Sequence, residues 1–204
     1  MKLIFATNND QKVTEMQAAI GNLAELVSLR KAGILVEIPE PHDSLEGNAS
    51  EKSATVRKMT GMDCFSEDTG LEVEALGGEP GVKSARYAGE QRSFKDNIKM
   101  LLEKMKGLGN RKARFRTVIS LRWKNSEYLF EGICEGQIAN VMRGEGGFGY
   151  DPVFIPEGSP KTFGEMDLAE KNLLSHRRKA ADKLADFLSS RLAEESKGTQ
   201  HKAL

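Results

Sequence analysis

Asp63-Cys64-Phe65-Ser66-Glu67-Asp68-Thr69-Gly70-Leu71-Glu72-Val73 is the stretch around which the rest of this chain is organised. Its apolar approach reads as a short strand, its acids as a turn at the strand end, and Gly70 as a sharp exit. Two adjacent carboxylates repel each other, and burial disfavours the ionised form of both. A divalent cation removes that cost, and Mg²⁺ is commonly held by one or two carboxylates while it bridges substrate phosphates. A solvated acidic turn is the plain alternative. What favours a site is the company: Glu40 upstream, a polar loop at 7–12, and the basic group Lys171, His176 and Arg177. Carboxylates, a phosphate-sized loop and separate base-reading groups together describe an enzyme acting on a nucleotide.

The bulk numbers bound the class. At 204 residues the chain makes one domain or two closely joined lobes and buries a real core. With 39% hydrophobic and 29% charged residues it is ordinary for a soluble globular protein, which excludes a disordered class. Lys plus Arg number 30 and Asp plus Glu number 30, so bulk attraction to nucleic acid or to anionic membrane is absent. Cys64 and Cys134 fall in separate predicted strands without metal-ligand spacing and read as buried thiols. The opening apolar run is too short for a signal peptide, and no stretch approaches membrane-spanning length. The cytoplasm is the expected compartment. A single domain is expected over 1–193, followed by a polar, disordered tail over 194–204.

Residues 2–6 read as a strand that stops at Thr7-Asn8-Asn9-Asp10. A helix follows, with Val13, Met16 and Ile20 at helical spacing and Asn9 or Asp10 as its cap. Strand, polar loop and helix N-terminus offer free N–H groups and a positive dipole end to an anion, and Lys12 adds a full charge. A Walker sequence is missing, so the loop alone reads equally as a capped helix start. Further strands are predicted at 26–30 and 35–38. Pro39-Glu40-Pro41 then forms a rigid loop that holds the Glu40 carboxylate. Helical sequence resumes over 47–59 with Gly61 as its stop, and Lys52 on it reads as a solvated lysine.

After the acids, three glycines and a proline between Gly77 and Gly81 specify a tight loop. A helix is predicted over 93–106, with Ser93 and Asp96 resembling a capping box and with Phe94, Ile98, Leu101, Leu102 and Met105 on its buried face. Segments 113–123 and 127–139 predict a long hairpin turning at Asn125-Ser126. Placing Trp123 opposite Tyr128, Leu121 opposite Phe130 and Arg116 opposite Glu135 pairs apolar with apolar and plus with minus. Arg114, Arg116 and Arg122 then face Glu131 and Glu135 as a solvated, self-neutralising surface. Glycines around Phe148 let backbone approach a flat ligand on which the ring stacks. The last helix is predicted over 175–192 with Ser175 as cap and Leu184, Phe187, Leu188 and Leu192 buried. His176 and Arg177 in its first turn oppose the macrodipole, and a local rule broken this way points to function.

Five motifs now stand in order: Thr7-Asn8-Asn9-Asp10-Gln11-Lys12, Glu67-Asp68-Thr69-Gly70-Leu71, Ala75-Leu76-Gly77-Gly78-Glu79-Pro80-Gly81, Gly147-Phe148-Gly149-Tyr150-Asp151-Pro152 and Ser175-His176-Arg177. With them the chain resembles the inosine triphosphate pyrophosphatase family, over about residues 2–192. The resemblance implies an α/β fold, a long twisted mixed β-sheet with flanking helices, in two lobes with a nucleotide cleft between them. It implies a homodimer that hydrolyses deaminated purine nucleoside triphosphates (ITP, dITP, XTP) to the monophosphate and pyrophosphate with Mg²⁺. By the same resemblance Thr7, Asn8, Asn9, Asp10, Gln11 and Lys12 form the phosphate loop, and Lys52 lies near the phosphates. Asp68 matches the proton acceptor and metal ligand, Thr69 a substrate contact, and Glu40 the second metal-binding carboxylate. Phe148, Gly149, Tyr150, Asp151, Lys171, His176 and Arg177 match the groups around the base. Asn8 stands where many relatives have Gly.

Positioning and electrostatics dominate such chemistry: a cation and Lys12 hold the triphosphate while a carboxylate activates water. Asp68 is the base of choice, and Glu67, a further candidate metal ligand, can trade roles with it. Arg177 only donates hydrogen bonds and His176 can donate from one ring nitrogen, so a six-oxygen purine fits and adenine's amino group does not. Guanine shares that oxygen, and its rejection falls to the surroundings of its two-amino group. A broader pyrophosphatase for modified pyrimidines and a non-catalytic nucleotide-binding module are the other readings.

Overall fold

A computed structural model describes residues 1–200, with side chains placed through Glu195. Strand β1 (Lys2–Phe5) is apolar on both faces, and it lies inside the sheet, parallel to β2 (Glu25–Ser28) and to β3 (Cys64–Val73). Helix α1 (Asp10–Ile20) returns from β1 toward β2, and α2 (Leu45–Thr60) leads into β3. A two-residue strand β4 (Pro80–Gly81) pairs beside β3, and α3 (Phe94–Lys104) precedes the hairpin of β5 (Lys112–Trp123) and β6 (Ser126–Ile138). β7 (Phe154–Pro156), α4 (Leu168–Leu174) and α5 (His176–Gln200) complete the chain. Among the described residues the sheet is mixed, in the order β2-β1-β3-β5-β6-β7 with β4 off this path. The α/β class expected from the motifs is what forms. No helix among the described residues is long and apolar enough to cross a membrane.

The acidic stretch is not a turn. Antiparallel pairing between β3 and β5 runs without a break from Cys64 opposite Arg122 to Val73 opposite Ala113, so Glu67 and Asp68 sit mid-strand. The expectation of a turn rested on the need to solvate two acids, and here buried cations meet that need instead. Long strands also divide the core. Phe65, Ile119, Leu121 and Trp123 pack with α1 and α5, while Leu71, Val73, Ala113 and Phe115 from the same strands pack with α3 and β7. The acids mark the midpoint between these two apolar clusters.

Other elements depart from expectation for physical reasons. The hairpin pairs Trp123 with Ser126, Leu121 with Tyr128 and Arg116 with Ile133, a slip of two residues from the predicted register. Lys124 takes φ +55° in the tight turn, with its N–H held by Asp63 at 2.8 Å and its carbonyl by Arg57 at 2.7 Å. These long-range bonds lie outside any cross-strand argument. A slip of two keeps every side chain on its face, and the arginines are neutralised, but largely by other acids than expected: Arg114 by Glu72, Arg116 by Glu46 and Glu131, and Arg122 by Glu127.

Residues 35–38 form no strand; Leu35 is 82% exposed in a loop beside the cleft, next to prolines that cannot donate to a ladder. α5 runs to Gln200, so the stretch expected to be a disordered tail from 194 starts as helix. Glu194 pairs with Arg191 one turn back and Glu195 with Lys124, which extends the helix past its last apolar residue. Residues 201–204 of that tail lie outside the described residues.

Candidate active site

A cleft of about 560 Å³ opens over the midpoint of β3, within the size range of small-molecule sites. Successive strand residues point to opposite faces, so Glu67 and Asp68 meet different helices although both line this cleft.

Asp68 faces α2. Ser44 caps that helix, Gly61 ends it in a left-handed conformation, and Ser66 and Ser53 tie it to the sheet through Ala49 and Ser120. Lys52, read from sequence as a solvated lysine, is thereby buried; its ammonium bridges Glu40 at 2.6 Å and Asp68 at 2.9 Å. Burial pushes the lysine pKa down, but Asp68 and Glu40 outweigh it and the net shift is upward. Burial raises the Asp68 pKa, and Lys52 opposes this only in part. Burial acts the same way on Glu40, yet Lys52 and Arg86 prevail and hold it below its ordinary value. The ammonium stands where two carboxylates converge on a positive charge, and these hard oxygens suit Mg²⁺. Among the described residues no three His, Cys, Asp or Glu side chains converge as a metal site, so Asp68 and Glu40 are the two carboxylates this point offers a cation.

Glu67 faces α1 and α5. One of its oxygens accepts from Lys12 at 2.8 Å and Arg177 at 3.1 Å, and the other from Arg177 at 2.8 Å. Arg177 Nη1 continues to Glu15 at 2.5 Å, Glu15 to Lys171 at 2.8 Å, and Lys171 to Asp151 at 2.7 Å, which accepts in turn from the Phe148 N–H at 2.9 Å. This chain of alternating charge is buried except at Lys12. Gly147 belongs to it as well, since a Cβ there would lie 2.0 Å from the Asp151 carboxylate. Burial works against the charge on Glu67 and on Glu15, but their cations win and both pKa values fall. In Asp151 burial wins over Lys171, and its pKa rises.

These contacts redistribute the roles read from sequence. Glu67, a candidate metal ligand, gives both oxygens to cations. Arg177 spends its Nε and Nη2 groups on Glu67 and Thr69 and one Nη1 hydrogen on Glu15, which among the described residues leaves a single N–H of its five. Lys171 does not line the cleft; it lies behind Phe148, 5.1 Å from the ring centroid. Glu15 carries no signal in the sequence, since it neighbours the apolar Met16 on α1, and only the fold brings it to α4 and α5.

The loop at 7–12 serves itself. Thr7 accepts from Asn9 N–H at 3.1 Å, and Asn9 caps the helix by accepting from Gln11 and Lys12 at 3.0 and 3.2 Å. Asn8 accepts from Arg30 N–H at 2.9 Å. Thr7, Asn8, Asn9 and Lys12 line the cleft, whereas Asp10 and Gln11 are exposed beside it, Gln11 reaching the Gly147 carbonyl at 3.5 Å. At the other end stand Phe148, Gly149, Tyr150, Asp151 and His176. His176 stacks on Phe115 with centroids 4.4 Å apart, and its Nδ1 has no hydrogen-bond partner among the described residues. Burial, with Arg177 and Lys171 nearby, pushes its pKa far down and keeps the ring neutral. Gly132 makes this placement possible, because a Cβ there would lie 2.1 Å from the His176 carbonyl.

The depressed Glu67 fixes a pH dependence. Its folded pKa lies below the unfolded one, so its stabilisation is complete above about pH 4.3 and is lost as pH falls. Acid titration of stability is therefore expected to be shallower in Glu67→Gln than in the parent. Parallel titration curves below that pH would show that Glu67 is not held ionised.

A family model described as the Ham1 family matches residues 3–187. A dITP/XTP pyrophosphatase of Porphyromonas gingivalis is 50% identical over 188 residues, 92% of this chain and 97% of that protein. Its counterpart in Flavobacterium johnsoniae is 46% identical over 190 residues, 93% of this chain and 99% of that protein. The solved Staphylococcus aureus Ham1 protein superposes with a TM-score of 0.86 at 35% identity, covering 94% of this chain and 100% of its own. The resemblance drawn from the five motifs is borne out: the chain belongs to the Ham1 family.

Proposed function

We propose that this chain hydrolyses deaminated purine nucleoside triphosphates to the nucleoside monophosphate and pyrophosphate, with Mg²⁺. One observation carries the reading: a single cleft joins the Asp68–Lys52–Glu40 cluster to an aromatic and glycine-lined end backed by buried cations. Relatives sharing nearly the whole chain bear the name dITP/XTP pyrophosphatase.

Asp68 and Glu40 would hold Mg²⁺, which would neutralise charge on the triphosphate. Lys12 and Lys52 add fixed positive charge at the same end. Asp68 takes a proton from the attacking water as its oxygen bonds to phosphorus, and the α–β anhydride breaks to release pyrophosphate. A raised pKa suits a general base, and Lys52 keeps that carboxylate ionised and aimed. Near the base, the remaining Arg177 N–H can meet an oxygen at position six but not an amino group. One such mismatch costs roughly 1–3 kcal/mol, a preference of about 5- to 150-fold for dITP over dATP.

The site is expected to work on free nucleotides in the cytoplasm, as a homodimer, in keeping with the family resemblance and the balanced charge. Light scattering of the purified chain checks the dimer. The function itself is tested by pyrophosphate release from ITP, dITP, XTP, the standard triphosphates and modified pyrimidine triphosphates. Faster turnover of the six-oxo purines supports the reading; a pyrimidine preference favours the broader enzyme, and no turnover the binding module. Excess chelator is expected to abolish activity, and full activity without divalent cation would refute the metal assignment.

A further inference from the structure

Phe94 opens α3, where the helical pattern predicts a buried residue, yet it is 43% exposed and lines the cleft. A lone exposed apolar residue needs no explanation, but this one confronts a second ring. Its centroid lies 6.2 Å from that of Phe148, with planes 44° apart.

The backbone beneath it is fixed. Arg92 turns the chain with φ +52°, Ser93 caps the helix by accepting from Asp96 N–H at 3.3 Å, and Ile98 and Leu101, one and two turns further along the same face, are buried. Asn97 accepts from Ala88 N–H at 2.7 Å and donates to the Ala85 carbonyl at 3.0 Å, locking the helix to the preceding loop. Phe148 is held as firmly through Asp151, with Lys171 and Arg177 5.1 and 5.2 Å from its centroid. Two rings carried on fixed backbone thus lie tilted toward each other at one end of the cleft. A flat base needs about 3.5 Å on each side, so turning the tilted rings parallel and opening the gap by under about 1 Å admits one.

We propose that Phe94 is the second wall of the base site, so that the purine is sandwiched between Phe94 and Phe148; this rests on the reading that the cleft takes a purine nucleotide. Stacking is indifferent to exocyclic groups. Phe94 therefore sets affinity for the base and leaves both the choice among six-oxo purines and the phosphate chemistry alone.

The test compares Phe94→Ala, Phe94→Leu and Phe94→Trp in the full chain. In Phe94→Ala, KM for ITP and for XTP is expected to rise by the same factor, about 5- to 150-fold, from the usual contribution of one stacked base. kcat stays within about twofold, Phe94→Leu falls between, and Phe94→Trp recovers the parent KM. Binding of inosine monophosphate weakens in step, while inhibition by inorganic tripolyphosphate, which has no base, is unchanged. An unchanged KM and monophosphate affinity in Phe94→Ala overturns the proposal, as does an equal loss of tripolyphosphate affinity. If Phe94→Ala does not fold, Phe94→Leu decides on the same criteria. Should the parent fail to hydrolyse ITP, the functional reading falls, and the monophosphate comparison still judges Phe94.

Discussion

Asp68→Asn is expected to lower turnover by about 10²- to 10⁴-fold, the usual contribution of a positioned general base, and to leave the fold intact. The side chain keeps its shape but loses the charge that accepts a proton and draws a cation. Stability survives because Lys52 retains Glu40 at 2.6 Å, and because burial already works against the Asp68 charge. Turnover at saturating Mg²⁺, measured beside a thermal melt, checks both halves. Near-parent turnover in the folded variant would remove Asp68 from the chemistry.

Arg177→Ala is expected to act first on the fold. Its removal takes from buried Glu67 and Glu15 the cation they share and leaves each with one partner, Lys12 and Lys171. Breaking a buried pair by deleting one partner costs about 3–5 kcal/mol. For a chain of this size that lowers Tm by about 6–20 °C. Arg177→Met combined with Glu67→Gln is expected to recover much of the loss, because Glu67 then carries no buried charge and Glu15 keeps Lys171. A single variant that melts with the parent would show that the charge chain is solvated. Loss of purine selectivity without loss of stability would restore Arg177 to the simpler role of base reader.

These two residues show what the sequence discloses and what it withholds. The motifs bring Asp68, Glu40, Lys12 and Phe148 to one site: Glu40 and Phe148 lie in loops and Lys12 in the first turn of a helix, where local sequence specifies the backbone, whereas Asp68 lies mid-strand. The local pattern points to a turn at Glu67 and Asp68 because it carries no sign of Lys52, Lys12 and Arg177, which come from three different helices. Glu15 and Phe94 carry no local mark at all. One is an acid beside an apolar helix stripe, the other an apolar residue at the right phase to be buried, and only tertiary packing decides where each points. The hairpin's existence followed from alternation, whereas its register depended on Asp63 and Arg57 gripping the turn from outside it.

The most direct measurement is the product ratio from dITP with Mg²⁺, with dATP run alongside under the same conditions. Equimolar dIMP and pyrophosphate from dITP, with kcat/KM at least about fivefold below this for dATP, is the expected outcome. Release of orthophosphate in place of pyrophosphate, or equal rates on the two nucleotides, would contradict a cleft that cuts the α–β anhydride of six-oxo purines.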